Sequence, residues 1–124
     1  MSSGFQAADL ALLRDEHEVE IETAMAEEGP IHRTIIWVIV DAQDRVLIRS
    51  YRGPGARWFR EITARPEARV HVRGRALPIR GVAATDPDRV AACSEGFLRK
   101  YAGQYSARSM ADNHHETTLE LVAR

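Results

Sequence analysis

The chain has 124 residues, 44% apolar and 28% charged, which suits a single domain with one core and is too short for two. Seventeen basic and eighteen acidic side chains leave a net charge of −1, no apolar run approaches the roughly 20 residues of a membrane-spanning helix, and the N-terminus lacks the basic start of a secretory signal, so the expectation is a cytoplasmic protein. Cys93 is the only cysteine, which excludes an intrachain disulfide framework or a thiolate zinc cluster and suits a small buried hydrophobe.

Residues 3–16 place Phe5, Ala8 and Leu12 at helical spacing with Leu13 beside them, an amphipathic helix whose stripe Asp9 narrows. Glu18 to Ala24 alternates Val19, Ile21 and Thr23 against three glutamates, the pattern of a strand with one wet face. Thr34 to Val40 is β-branched and apolar on both faces, so it requires cover on both sides. The turn "DAQD" leads to a strand from Arg45 to Tyr51, and the two strands read as a hairpin.

After Gly53-Pro54-Gly55, "ARWFREITAR" reads as a short helix with Trp58 and Ile62 on one side, stopped by Pro66. Two strands around Gly74 follow, with Val70, Val72, Leu77 and Ile79 inward and Pro78 marking an edge or bulge. "TDPDRVAACSEGFLRKYAG" carries Asp86 as N-cap, Pro87 in the first turn and Gly103 as terminator, with Val90, Cys93, Phe97 and Tyr101 at helical spacing. After a loop, Glu116 to Arg124 closes as a strand with Leu119 and Leu121 inward. The fold class is therefore mainly β (α+β): about six strands in a small antiparallel barrel with appended helices, since closure removes exposed edges. The domain plan is one unit over 1–124, with an N-terminal helix in 1–16 and the barrel with its inserted helices in 18–124.

Charge is unevenly spread. Residues 1–31 hold 1 basic and 8 acidic side chains, whereas residues 32–81 hold 11 and 4. That positive block can draw an anionic ligand, or its arginines, 16 of the 17 basic residues, can simply face water. Its centre is "RSYRGPGARWF". Gly53 and Gly55 let several backbone N–H groups face one point without side chains in the way, and the helix starting near Ala56 aims its positive end there. Arg49, Arg52 and Arg57 lie within nine residues, and guanidinium forks suit phosphate or carboxylate oxygens. Arg33 on the neighbouring strand can join them. Trp58 either packs in the core or offers a flat wall to a planar ring. The plain alternative is a helix-entry turn with solvated arginines.

Other candidates carry less. His114 and His115 are adjacent, so on a strand they would point to opposite faces and not share a metal; His32 and His71 stand alone. No dinucleotide or Walker fingerprint is present. Nucleic acid is disfavoured because few aromatics interleave with the arginines.

The order of hairpin, Ser50, Gly53, Gly55, Trp58, Phe59, Ile62, Ala64 and Pro66 resembles the flavin- and deazaflavin-binding split β-barrel superfamily. Its members include pyridoxamine 5'-phosphate oxidase-like and deazaflavin-dependent nitroreductase-like proteins. The segments "HRTIIWV", "RSYRGP" and "TTLEL" resemble more closely a family of short split-barrel proteins catalogued as a domain of unknown function. Glu61 stands where the superfamily pattern has Asn. The resemblance implies a six-stranded split antiparallel barrel and a homodimer with FMN or a deazaflavin (coenzyme F-420) at its interface. It implies an acidic tail held by Arg33, Arg49, Ser50, Arg52, Gly53, Gly55 and Arg57, and a ring near Thr34 and Trp58. The implied activity is hydride transfer to a small organic acceptor, with no separate catalytic side chain; the alternative is a non-catalytic carrier or sensor of a small anionic ligand on the same scaffold.

Overall fold

The structure, a computed structural model, describes residues 4–124; Ser3, where the expected first helix begins, lies outside them. Helix α1 spans Ala7–Asp15, and buries Leu13 together with Asp9. The acid that narrowed the stripe is accommodated because Arg75 Nη2 meets its Oδ1 at 2.9 Å.

Seven strands, one more than expected, form a single antiparallel sheet. They are β1 (Val19–Thr23), β2 (His32–Ile36), β3 (Ile39–Val40), β4 (Val46–Ile48), β5 (Glu67–Val72), β6 (Arg75–Ala83) and β7 (Leu119–Ala123), in the order β2-β1-β5-β6-β7-β4-β3. The extra strand comes from the segment Thr34 to Val40, which is two strands rather than one. β2 pairs with β1, from Val19 opposite Ile36 to Thr23 opposite His32, while β3 pairs with β4. The expected long hairpin thus shrinks to Ile39 opposite Leu47 and Val40 opposite Val46. Because β2 and β3 are the two edges of the sheet yet only Trp37 and Val38 separate them, the sheet curls until its edges meet through the chain itself. That is the split-barrel arrangement.

At the break, the backbone groups lost from the ladder find side-chain partners, as buried polar groups must. The Val38 N–H donates to Tyr101 Oη at 3.1 Å, and the Val38 carbonyl accepts from Lys100 Nζ at 2.7 Å. Both partners come from helix α3, Pro87–Lys100, and the residue that ends it.

Val46 and Ile48 point into the barrel beside Val70, Val72, Leu77, Ile79, Leu119 and Leu121, as alternation predicts. Leu47 and Ile39 point the other way, into a second core under α3 with Cys93, Phe97 and Tyr101. The two-faced apolar segment is therefore covered within the chain for its β3 half. Burial pushes the Cys93 thiol up to about 12, so it is an inert core group. Asp86 caps α3 as expected, accepting from the Arg89 N–H at 3.1 Å.

Helix α2, Arg57–Ala64, buries Trp58 and Ile62 on one side, the spacing read from the sequence. It lies close because Gly81 has no side chain: a Cβ there would stand 2.8 Å from Ile62 Cδ1. Burying a side chain of that size contributes about 1.5–3 kcal/mol. Pro78 sits within β6, an interior strand, but one residue past the last β6–β7 pair, Ile79 opposite Ala123; its carbonyl accepts from the Arg124 N–H, so the missing proline N–H falls where the ladder with β7 ends. A further helix, α4 (Ala107–Asp112), occupies what reads as loop.

Candidate functional site

A cleft of about 460 Å³ opens where the edge strand β2, the glycine loop, the start of α2 and the region of α4 meet. Thr34 of β2 lines it, as do Arg49, Arg52, Arg57 and Trp58. Five of the nine residues singled out in sequence therefore share one hollow.

Arg49 is buried to 1% exposure, and its guanidinium makes only neutral contacts. Nε donates to Thr118 Oγ1 at 2.9 Å, Nη1 to the Met110 and Ala111 carbonyls and to Ser94 Oγ, and Nη2 to the Val90 carbonyl. No carboxylate pairs with it, and burial lowers its pKa. The sequence assigns it to ligand binding; its hydrogen bonds join the end of β4 to α3, α4 and the last turn, and no carboxylate touches its guanidinium at the cleft wall, Glu116 acting on it only at longer range. A buried cation without a counter-ion raises the local potential more than a solvated one does.

Arg52 and Arg57 are different. Both border the cleft, and neither makes a hydrogen bond or ion pair among the described residues. Elsewhere most arginines are paired, as in Arg45 with Asp41 and Asp88 or Arg89 with Asp86 and Glu120. Arg33 belongs to that majority: it is exposed on the outer face of β2, and its Nη2 bonds Glu20 Oε1 at 2.7 Å. The structure does not bring it into the cleft.

The glycine loop is closed rather than open. Gly53 takes a φ of +78°, and a Cβ there would meet the His114 ring at 2.8 Å, so the imidazole covers one face of the loop. Ser50 is buried; its hydroxyl donates to the Gly53 carbonyl at 2.7 Å and its N–H to Thr117 Oγ1 at 3.0 Å. These bonds interlock "RSYRGP" with "HHETT", and Ser50 and Gly53 act as turn-formers. Gly55 is exposed, with no atom within 4 Å of an added Cβ; it lies outside the cleft lining.

Trp58 is in the barrel core, 6% exposed, with an edge at the cleft. The flat wall comes instead from Trp37, which sequence reading treated only as a strand residue. Its ring lies parallel to that of Tyr101, with centroids 4.0 Å apart and planes 4° from one another. One indole face is thus covered, Phe97 and His17 lie near the ring at 6.5 and 6.0 Å between centroids, and Trp37 also lines the cleft. Tyr51 and Ile35 are exposed apolar groups on the same rim; because β2 is an edge strand, both of its faces reach the hollow. Glu18, the residue before β1, is the carboxylate of the lining. Alternation could have revealed Ile35, since an outward isoleucine beside Arg33 is out of place on a wet face.

Beside the cleft, Glu61 is buried on α2 and accepts from Thr23 Oγ1 at 2.8 Å, with His32 Nδ1 2.9 Å from its Oε2. One carboxylate so fastens α2 to β1 and β2. No group of three or more His, Cys, Asp or Glu able to hold a metal occurs among the described residues, and no helix among them is long and apolar enough to cross a membrane.

A curled antiparallel sheet with α2 against its edge defines a split-barrel protein, and the cationic, aromatic cleft at that junction is its candidate site. The chain belongs to the family described as "Uncharacterized protein conserved in bacteria (DUF2255)", whose model matches residues 9–121. No curated protein matches it. Among solved structures it is similar to the conserved hypothetical protein Rv2991 from Mycobacterium tuberculosis, at 13% identity over 97% of this chain and 81% of that one, TM-score 0.70. It is similar to an F420-H2 dependent reductase, FDR-A, at 14% identity over 86% and 94%, TM-score 0.62. It is also similar to HutZ, the heme storage protein from Vibrio cholerae, at 7% identity over 98% and 91%, TM-score 0.65. At such identities the likeness is one of fold.

Proposed function

We propose that the cleft binds a planar cofactor with an acidic tail, a flavin such as FMN or a deazaflavin such as coenzyme F420, and that the chain is an oxidoreductase for a small organic acceptor. The observation that carries this reading is the convergence of three guanidinium groups without carboxylate partners on a cleft walled by Trp37 and Tyr51. The residues fit such a group: its volume lies in the range of about 300–1,000 Å³ usual for small-molecule sites, unpaired arginines suit phosphate oxygens, and an indole suits a flat ring.

Arg52 and Arg57 hold the acidic tail, while Arg49 supplies a fixed positive potential from the wall. Trp37, braced by Tyr101, orients the ring. Thr34 offers a hydroxyl at the edge strand. A bound flavin or deazaflavin supplies the hydride chemistry, which explains why the site needs no acid–base pair of its own. Arg33, Ser50, Gly53 and Gly55 act in this reading through the strand and loop. The fold is shared with an F420-H2 dependent reductase. A second copy of the chain covering the exposed Ile35 and Tyr51 would complete the cleft as a homodimer, and a cytoplasmic setting fits reduced cofactor chemistry.

The second reading is a carrier without turnover. It is favoured by the closure of the glycine loop, whose Gly53 and Ala56 N–H groups donate to the Ser50 and Gly53 carbonyls rather than facing an anion, and by a fold shared with a heme storage protein. Titration of the purified protein with FMN, oxidised F420 and reduced F420, followed by addition of a quinone, separates the two. Binding with reoxidation supports the enzyme, binding without it the carrier, and no binding at micromolar concentrations removes the cofactor claim.

A further inference from the structure

The cleft holds charges of both signs and neutralises neither. Glu18 lines it, makes no hydrogen bond or ion pair among the described residues, and is exposed. Arg52 and Arg57, in the same lining, are equally unpaired, so the carboxylate and the guanidinium groups stand apart within one hollow. Glu18 has a definite neighbour. It directly precedes Val19, whose pairing with Ile36 is the last of the β1–β2 ladder, so Glu18 and Trp37 are the residues that leave the end of that ladder, and both line the cleft. His17 places its ring edge-on to Trp37, with centroids 6.0 Å apart. A carboxylate lining the same hollow as an indole braced on one face by Tyr101 combines the two attractions that positively charged nitrogen finds in proteins, ion pairing and the negative face of an aromatic ring.

We propose that the cleft selects a flat ligand carrying both charges, an acidic group for Arg52 and Arg57 and a positively charged nitrogen for Glu18 and Trp37. This rests on the cleft being the ligand site proposed above, in its carrier reading, and it assigns the stored molecule to the amine-bearing aromatic acids. An anion alone leaves Glu18 unpaired and repelling. A cation alone leaves the arginines so. Only a molecule with both satisfies all the groups.

Calorimetry at low salt with three probes, benzoate, benzylammonium and 4-(aminomethyl)benzoate, tests the selection without any cofactor. The expected result is that the zwitterion binds about tenfold more tightly than benzoate. Glu18→Gln should abolish that advantage without weakening benzoate, whose affinity should rise slightly as a repelling charge is lost, and without lowering the melting temperature, since Glu18 makes no hydrogen bond or ion pair among the described residues. Arg52→Gln with Arg57→Gln should weaken benzoate and zwitterion but not benzylammonium. Equal affinities for zwitterion and benzoate, an equal loss of both in Glu18→Gln, or no binding of any probe at about 10 mM overturns the proposal. If the zwitterion is preferred while FMN and F420 fail to bind, the redox reading alone is lost; if a cofactor binds but the zwitterion has no advantage, this proposal alone is lost.

Discussion

Arg49 Nε donates to Thr118 Oγ1 at 2.9 Å, and one residue along both segments the Ser50 N–H donates to Thr117 Oγ1 at 3.0 Å. Two threonine hydroxyls near the C-terminus thus end strand β4 and hold the cation at the cleft wall. Thr118→Val keeps the shape and removes the acceptor, stranding a buried charged donor. The expected loss of stability is about 1–3 kcal/mol, read as a lower urea midpoint at unchanged slope.

Gly53 and His114 are coupled through space. Gly53→Ala should destabilise the chain by about 1–3 kcal/mol, from a positive φ that disfavours a side chain and from the Cβ driven into the imidazole. In Gly53→Ala with His114→Ala the steric part vanishes. The double variant should therefore be less destabilised than the sum of the single ones, as urea unfolding of all three will show.

Arg52 and Arg57 support ligand binding without supporting the fold. Arg52→Gln and Arg57→Gln should each leave the melting temperature within about a degree or two, as expected of exposed, unpaired side chains. Each should lower affinity for an anionic cofactor about five- to tenfold, and added salt should reduce the difference. Thermal shift and calorimetry on the same preparations check both halves.

Lys100, the sole lysine, is held by the Leu13 and Val38 carbonyls, and burial lowers its pKa from 10.5 to about 8. Between these values the unfolded chain binds the extra proton, so stability rises with pH from about 8 towards 10. Burial pushes the Tyr101 hydroxyl up from 10.0 to about 12, which makes the unfolded chain lose its proton first and reverses the trend above pH 10. Urea unfolding at half-unit steps should show wild type gaining on Lys100→Met between pH 8 and 10.

The barrel interior was legible because alternation is local: Val70, Val72, Leu77, Ile79, Leu119 and Leu121 point inward as their spacing requires. The break at Trp37–Val38 was not, because its cause lies more than sixty residues away in Tyr101 and Lys100. The same holds for the cleft. Arg52, Arg57 and Trp58 are neighbours in sequence and stayed neighbours in space, whereas the buried state of Arg49 depends on carbonyls of α3 and α4. Arg33 lies outside the cleft for a local reason that the register reveals: Glu20 and Glu22 lie along the facing strand, and one of them pairs with it.

The most direct test of the central claim is a crystal structure of the protein soaked with FMN or F420. The account predicts phosphate oxygens at ion-pair distance from Arg52 and Arg57 with the ring against Trp37. Ligand bound elsewhere on the molecule, or a cleft that stays empty at saturating cofactor, contradicts it.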